Sequence, residues 1–216
     1  MYKFDIIKDY YDYDDFIYKK DYVEIKTGLT VLVGCNGSGK TTLLNQIKQK
    51  LNYDEDICLI EYFNNIDGGN NKLGELLWNN NIEGLALRAT SSEGENIYYN
   101  IGEIIKKIGN TIRNTDKNKI FVLIDSLDSG LSIDYTSEFV EIINELVIPD
   151  AEKSNKELYI IVSTNAYELA RHNNCLDIQS LEYRTFRGYE DYRKFILKTK
   201  KFKDKRYDIL RSNDEK

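Results

Sequence analysis

The chain has 216 residues, of which 41% are hydrophobic and 31% charged, a composition that supports a buried core and excludes a disordered protein. The formal net charge of −6 is unfavourable for non-specific binding of nucleic acid over the whole surface. Three scattered cysteines, Cys35, Cys58 and Cys175, exclude a disulfide framework and favour a reducing, cytoplasmic location.

The N-terminal part of the chain predicts short strands. The Tyr22–Ile25 run alternates with a period of two, as a half-buried strand does, whereas Leu29–Val33 is almost continuously apolar, as a strand buried on both faces is. We expect the earlier strands to form a small antiparallel sheet added to the main one. The predicted strands of this part are Tyr2–Ile7, Phe16–Tyr18, Tyr22–Ile25 and Leu29–Gly34.

From residue 40 onward, predicted helices alternate with buried strands, which favours an α/β fold with a mostly parallel central sheet. The helix at Phe139–Val147 is expected to end before Pro149, because proline breaks a helix interior. The other predicted helices are Lys40–Leu51, Leu73–Trp78 within an Asn- and Gly-rich loop, 92–112 and Ala166–Arg171, and the strands are Ile57–Tyr62, Ile120–Ile124 and Leu158–Val162.

Residues 34–41, GCNGSGKT, match the phosphate-loop pattern GxxxxGK[ST] at every fixed position. They follow a predicted buried strand and open an amphipathic helix, which is the structural context of such loops. Gly37 and Gly39 let the backbone curl so that its amides converge on phosphate oxygens, and the helix N-terminus adds the positive end of a dipole. We therefore predict that Lys40 reaches the β- and γ-phosphates of a nucleotide and that Thr41 ligates Mg²⁺.

Four segments, taken in chain order, resemble motifs of the ABC-type ATPases. Residues 34–44 are similar to the Walker A segment of that family, and residues 92–95, SEGE, to its signature motif in the form used by SMC/RecF-like and stand-alone members. Residues 120–132 resemble the Walker B strand with its D-loop, and residues 160–169 resemble the strand and switch loop. The resemblance covers residues 29–170 and implies a P-loop NTPase fold with a short helical subdomain.

This resemblance implies an ATPase whose nucleotide site is shared between two chains. ATP and Mg²⁺ are the implied cofactors, with Thr41 and Asp125 holding the metal. An aromatic residue upstream is expected to stack on adenine, and Phe16, Tyr18 and Tyr22 are candidates for stacking or for ordinary packing. The implied ATP-binding residues are Gly34, Asn36, Gly37, Ser38, Gly39, Lys40, Thr41, Thr42, Ser92 and Gly94. The last two would act in trans, in a head-to-tail homodimer that forms around ATP and sends a conformational signal to a macromolecular partner.

Two positions depart from the family pattern, and both concern hydrolysis. Ser126 stands where the family has a glutamate that polarises the attacking water, and Asn165 stands where it has a histidine that contacts the γ-phosphate. Because a hydroxyl cannot act as the missing base at neutral pH, we expect slow hydrolysis. Asp128 is either a substitute base or a turn residue, and Asn165 also suits the N-cap of the following helix. The candidate catalytic residues are therefore Lys40, Asp125, Ser126, Asp128 and Asn165.

The spacing of these motifs sets the expected domain organisation. The short interval between Lys40 and Ser92 excludes the coiled-coil arms of SMC proteins and leaves a reduced helical subdomain at 63–113. That subdomain belongs to an ABC-type nucleotide-binding domain at 1–180, and residues 181–216 form a basic C-terminal helix or tail. The trimmed subdomain also argues against a transporter.

The C-terminal segment, 181–216, combines many lysines and arginines with aromatic residues. It either contacts nucleic acid or an acidic protein partner, or forms a helix docked on the domain through Tyr192, Phe195 and Ile196. Two alternatives to a slow ATPase follow. One is a non-hydrolysing, ATP-gated scaffold, which Ser126 and Asn165 favour, and the other is a nucleic-acid-processing accessory ATPase of RecF-like type, which the basic segment favours.

Overall fold

The N-terminal strands form a sheet of their own. The computed structural model describes residues 1–8, 17–62, 93–128 and 131–214 of the chain. Strand β1 (Tyr2–Asp5) pairs antiparallel with β2 (Tyr22–Ile25), and the two constitute a two-stranded sheet beside the main one.

Ile17 and Tyr18 do not form the strand predicted at 16–18, so that prediction was wrong for these two residues. Phe16 lies outside the described residues. The chain bends here, and both side chains are buried, so they do not alternate between core and solvent as a half-exposed strand requires. The adjacent backbone bonds to a distant loop instead of a ladder, since the Lys19 amide donates to the Gln179 carbonyl at 2.9 Å. The segment therefore packs on the domain rather than extending the small sheet.

The centre of the domain is a six-stranded sheet, and every neighbouring pair in it is parallel except the last. This confirms the predicted α/β fold with a mostly parallel central sheet. The strand order is β4 (Ile57–Tyr62), β5 (Lys119–Ile124), β6 (Glu157–Ser163), β3 (Gly28–Val33), β7 (Asn174–Asp177) and β8 (Glu182–Arg184). The carboxyl ends of β3, β5 and β6 consequently meet at one edge, where ligands bind in open α/β sheets.

Helices cover both faces of this sheet. On one face, the helix Glu93–Asn114 buries Ile104 and Ile108 with β5, the helix Ile133–Ile142 and the C-terminal helix. On the other face, the helix Lys40–Leu51 buries Leu43 and Ile47 against the strands and the small sheet. The described helices are α1 (Lys40–Leu51), α2 (Glu93–Asn114), α3 (Ile133–Ile142), α4 (Ile148–Lys153), α5 (Tyr167–Ala170) and α6 (Tyr189–Asp214). The short helix expected at 73–78 lies outside the described residues.

The helix expected to end before Pro149 continues past it. A π-helical turn, Ile143–Val147, follows α3, and α4 then begins at Ile148 with the proline in its first turn. Proline is tolerated there because the first amides of a helix have no intrahelical acceptor in any case. The prediction was wrong because it treated the proline as a stop rather than as the start of a new helical segment.

The C-terminal segment supplies both a strand and a docked helix. In α6, Tyr192 and Phe195 are 4% and 5% exposed, which confirms the helix predicted to pack through these side chains. Strand β8 pairs with β7, and the division of the chain at residue 181 stays a prediction. None of the helices in the described ranges has the length and apolar character needed to cross a membrane.

Candidate active site

The phosphate loop joins β3 to α1 and depends on its glycines. Gly37 and Gly39 have φ values of 71° and 99°, in the left-handed region that favours glycine. A Cβ atom at Gly39 would lie 2.5 Å from Cγ2 of Ile17, so the close approach of the N-terminal segment also excludes a side chain there. Gly39 is also the N-cap of α1.

Lys40 is 8% exposed, and its ammonium group faces back into the loop. It donates hydrogen bonds to the carbonyls of Gly34 at 2.8 Å and Cys35 at 3.1 Å, and to Oδ1 of Asn165 at 3.0 Å. Burial lowers the pKa of Lys40, and the nearby Cys35, Asp128 and Asp125 partly oppose this shift. All three of its hydrogen-bond acceptors are neutral, so an anion in the cleft would form stronger, charge-assisted hydrogen bonds with the ammonium.

Asp125 follows β5 and is 8% exposed at the carboxyl edge of the sheet. Its Oδ2 accepts a hydrogen bond from the Thr41 hydroxyl at 2.9 Å, and its Oδ1 accepts one from the Ser163 hydroxyl. The two residues predicted to hold a metal therefore lie in direct contact, and both present oxygen atoms.

Ser126 adopts a left-handed backbone conformation, with φ of 54°. Its amide donates to Oγ of Ser163 at 2.8 Å, so the end of β6 fixes the residue that follows Asp125. The Ser126 side chain lines the same cleft as Lys40 and Thr41. Sequence reasoning missed Ser163, although its place at the end of a buried strand was visible.

Asn165 does not cap the following helix, contrary to one of its predicted roles. The helix N-cap is Ala166, whose amide donates to Oγ1 of Thr164 at 2.8 Å. The Asn165 side chain turns into the cleft instead, where its Nδ2 donates to Oδ1 of Asn36 at 2.7 Å. Its amide donates to Oδ2 of Asp128 at 3.0 Å, so Asp128 holds the loop that carries Asn165.

One cleft brings most of the predicted residues together. Gly34 and Ser38 are not among the residues that line it: Ser38 is 3% exposed, and a Cβ atom on Gly34 would lie 2.6 Å from its Oγ. Ser92 lies outside the described residues, and Gly94 is the second residue of α2. The predicted residues that line the cleft are Asn36, Gly37, Gly39, Lys40, Thr41, Thr42, Ser126, Asp128 and Asn165.

A family model, the ATPase family associated with various cellular activities (AAA), matches residues 30–178. The chain belongs to this family. No match to a curated protein is found. The chain is therefore a P-loop ATPase that binds nucleotide, and the match includes the phosphate loop, Asp125 and Asn165 in one continuous span. The match is to the AAA family and does not establish the ABC-type subtype.

The two described candidates for stacking on adenine, Tyr18 and Tyr22, make other contacts in the ATPase. Tyr18 is fully buried, and its hydroxyl donates to the Gly39 carbonyl at 2.8 Å, so it supports the phosphate loop. Tyr22 lies in β2 beneath the amine of Lys3, which is 4.2 Å from its ring centroid. Phe16 lies outside the described residues.

The C-terminal helix of the ATPase also reaches the cleft, through Arg206 and Tyr207. Sequence reasoning recognised the basic character of this segment but had no means of placing it, because an amphipathic pattern shows which side of a helix is buried and not what covers it.

Proposed function

We propose that this ATPase binds ATP with Mg²⁺ in the cleft at the carboxyl edge of the sheet and hydrolyses it slowly. The observation that supports the proposal most strongly is that three features lie together: the glycine-rich loop, the buried Lys40 ammonium, and the Asp125 carboxylate, which accepts a hydrogen bond from Thr41. The loop amides and the N-terminus of α1 would bind the phosphates, and Lys40 would exchange its carbonyl acceptors for phosphate oxygens.

The donor set fits Mg²⁺, which prefers oxygen ligands and keeps several waters. Thr41 and Asp125 would hold the ion, directly or through water, and the Ser163 hydroxyl keeps the carboxylate oriented. Bound there, Mg²⁺ would neutralise charge on the phosphates. The residues of this chain bind and orient the nucleotide around it.

Slow hydrolysis follows from the residues that face the terminal phosphate. Ser126 offers a hydroxyl and Asn165 an amide, and neither accepts a proton from water at neutral pH. Asp128 is a carboxylate that lines the cleft and could substitute, but it accepts a hydrogen bond from the Asn165 amide. Loss of a positioned general base typically costs about 10²–10⁴ in rate. A non-hydrolysing, ATP-gated scaffold is the second candidate, favoured by the same two residues.

Single-turnover hydrolysis of three proteins separates these candidates. Ser126→Glu is expected to raise the rate, because it places a carboxylate beside the cleft, by less than the ~10²–10⁴ of a fully positioned base. If Asp128 is the base, Asp128→Asn abolishes a measurable wild-type rate and Ser126→Glu slows it by crowding a second carboxylate into the site. Brisk wild-type hydrolysis that Ser126→Glu lowers would contradict a vacant base position.

The ABC-type resemblance supports a head-to-tail homodimer with Ser92 and Gly94 acting on the partner's ATP. The experiment is sedimentation of the full chain with and without ATP and Mg²⁺. ATP is expected to shift the wild type towards dimer, and Ser92→Arg to block the shift by bulk and charge. A protein that stays monomeric at saturating ATP refutes the dimer proposal without affecting the proposed nucleotide site.

The partner of the conformational signal would bind the outer face of α6. Exposed lysines and arginines on this helix accompany the exposed apolar side chains Leu197 and Phe202, which are 44% and 43% exposed. Such a face suits nucleic-acid phosphate or an acidic protein, and it favours the accessory-ATPase alternative. ATP turnover with and without DNA, at two salt concentrations, tests it, because phosphate contacts weaken as salt rises.

A further inference from the structure

The C-terminal helix is anchored directly to the phosphate loop. Thr199, which is 1% exposed, accepts a hydrogen bond from the Cys35 amide at 3.0 Å. Its hydroxyl proton is directed to the Ile196 carbonyl, and its own carbonyl accepts from Nε2 of Gln179 at 3.3 Å. The bonds from Cys35 and Gln179 hold α6 against the phosphate loop, so the residues one turn further along are held at a defined position.

Lys203 lies one helical turn after Thr199, on the same side of α6. Its ammonium donates to the Asn36 carbonyl at 3.1 Å, and its side chain is 21% exposed. Its Cδ atom lies 3.5 Å from where a Cβ atom on Gly37 would be, so the side chain lies along the loop. Further along α6, Arg206 and Tyr207 line the cleft itself.

The hydrogen bonds place Lys203 at one end of the proposed nucleotide. Lys203 donates to the Asn36 backbone carbonyl, Nδ2 of Asn165 donates to Oδ1 of Asn36, and the Lys40 ammonium donates to Oδ1 of Asn165. In a phosphate loop the lysine reaches the β- and γ-phosphates, so Lys40 and the Asn165 side chain bonded to it lie at the expected position of the terminal phosphate. Lys203 therefore lies on the terminal-phosphate side.

We propose that Lys203 is a nucleotide-binding residue that acts in cis on the terminal phosphate of ATP. The proposal rests on the proposed function of the cleft. In the free protein the ammonium donates to one neutral carbonyl and lies 3.8 Å from an oxygen of Asp204, a carboxylate that also pairs with Lys200. A triphosphate offers it anionic oxygens, which form stronger, charge-assisted hydrogen bonds than the carbonyl does. A rotation of the flexible lysine stem is enough to exchange these partners, because Thr199 keeps the helix itself in place.

The test compares ATP and ADP binding to the full chain by titration calorimetry. Lys203→Met keeps the aliphatic stem and removes the charge, and it is expected to weaken ATP binding by about tenfold, in line with the loss of one hydrogen bond to a charged group. ADP lacks the terminal phosphate and therefore the hydrogen bond that Lys203 is proposed to make, so the affinity for ADP is expected to change by less than about twofold. Lys203→Arg should restore most of the ATP affinity, and Lys201→Met, at an exposed position of the same helix, should leave both affinities unchanged.

Equal losses for ATP and ADP in Lys203→Met would overturn the proposal, because they would show that the lysine only supports the loop. Unchanged ATP affinity would overturn it as well. The proposed function fails in a different way: the wild-type protein would then bind neither nucleotide. A wild type that binds both, with Lys203→Met weakened for ATP alone, supports the assignment.

Discussion

Replacing Lys40 by methionine separates folding from nucleotide binding. The ammonium makes three hydrogen bonds to neutral acceptors and is 8% exposed, and burial lowers its pKa. The folded state therefore carries a penalty for this charge that is fully present below the folded pKa and relieved above the unfolded one. Methionine removes the penalty together with the hydrogen bonds, so the free energy of unfolding without ligand should change by no more than about 1 kcal/mol.

The same change should remove most of the nucleotide affinity. Hydrogen bonds to charged groups contribute about 1.5–3 kcal/mol each, so losing the Lys40 contacts should weaken ATP binding by at least about 10²-fold. At an ATP concentration of about 100 times the wild-type Kd, the wild type gains about 2.7 kcal/mol and Lys40→Met about 0.4 kcal/mol. For a chain of this size these gains correspond to Tm increases of about 5–10 °C and about 1 °C.

Thermal unfolding with and without ATP and Mg²⁺ measures both effects in one experiment. Lys50→Met, at an exposed position in the last turn of the same helix, is the matched control and should show the wild-type increase. If Lys40→Met shows the full ATP-induced increase in Tm, the assignment of the cleft is refuted. If the Tm of Lys40→Met without ligand falls by more than about 5 °C, the lost hydrogen bonds and the relieved burial of the charge do not cancel, and that part of the reasoning is refuted instead.

Three further predictions concern the packing of the fold at and around the site. Gly39→Ala should destabilise the fold by more than about 2 kcal/mol in urea unfolding, because φ is 99° and the new Cβ would lie 2.5 Å from a side-chain carbon. The control, Gly102→Ala, has open space around it in α2 and should stabilise the fold by about 0.5–1 kcal/mol. Thr199→Val should cost about 1–3 kcal/mol, because it leaves the buried Cys35 amide without its acceptor, and Thr199→Ser should not; equal costs would count against this bond. Burial raises the pKa of the Cys175 thiol to about 12, so alkylation at pH 8, followed by mass spectrometry, should spare it until the protein unfolds.

The parts of the site that the sequence predicted are those whose signal is local. The loop glycines, Lys40 and Thr41 lie within eight consecutive positions, and their chemistry needs only the strand before and the helix after. Asp125 was predicted for a similar reason, since it ends a run of apolar residues that can only be a buried strand. In each case one segment carries both the fold signal and the functional group.

Contacts between distant segments were not predictable in the same way. For Asn165 the sequence offered two roles, one at the site and one as a helix cap, and only its contact with Lys40, 125 residues away in sequence, shows that its side chain turns into the cleft. Thr199 and Lys203 carried no motif, because a docked amphipathic helix reveals its buried stripe and not its partner. The contribution of α6 to the site therefore emerges only from the three-dimensional arrangement.

The cis position of α6 and the proposed head-to-tail dimer constrain each other. A partner's Ser92 would have to reach the terminal phosphate, on the side where Lys203 contacts Asn36 and lies along Gly37. Displacing the whole helix would expose the buried Thr199 hydroxyl and break its bond to the loop, whereas moving the lysine costs one partly exposed hydrogen bond. If both proposals hold, the partner approaches beside α6, and Lys203 and the partner's Ser92 converge on the same phosphate from two sides.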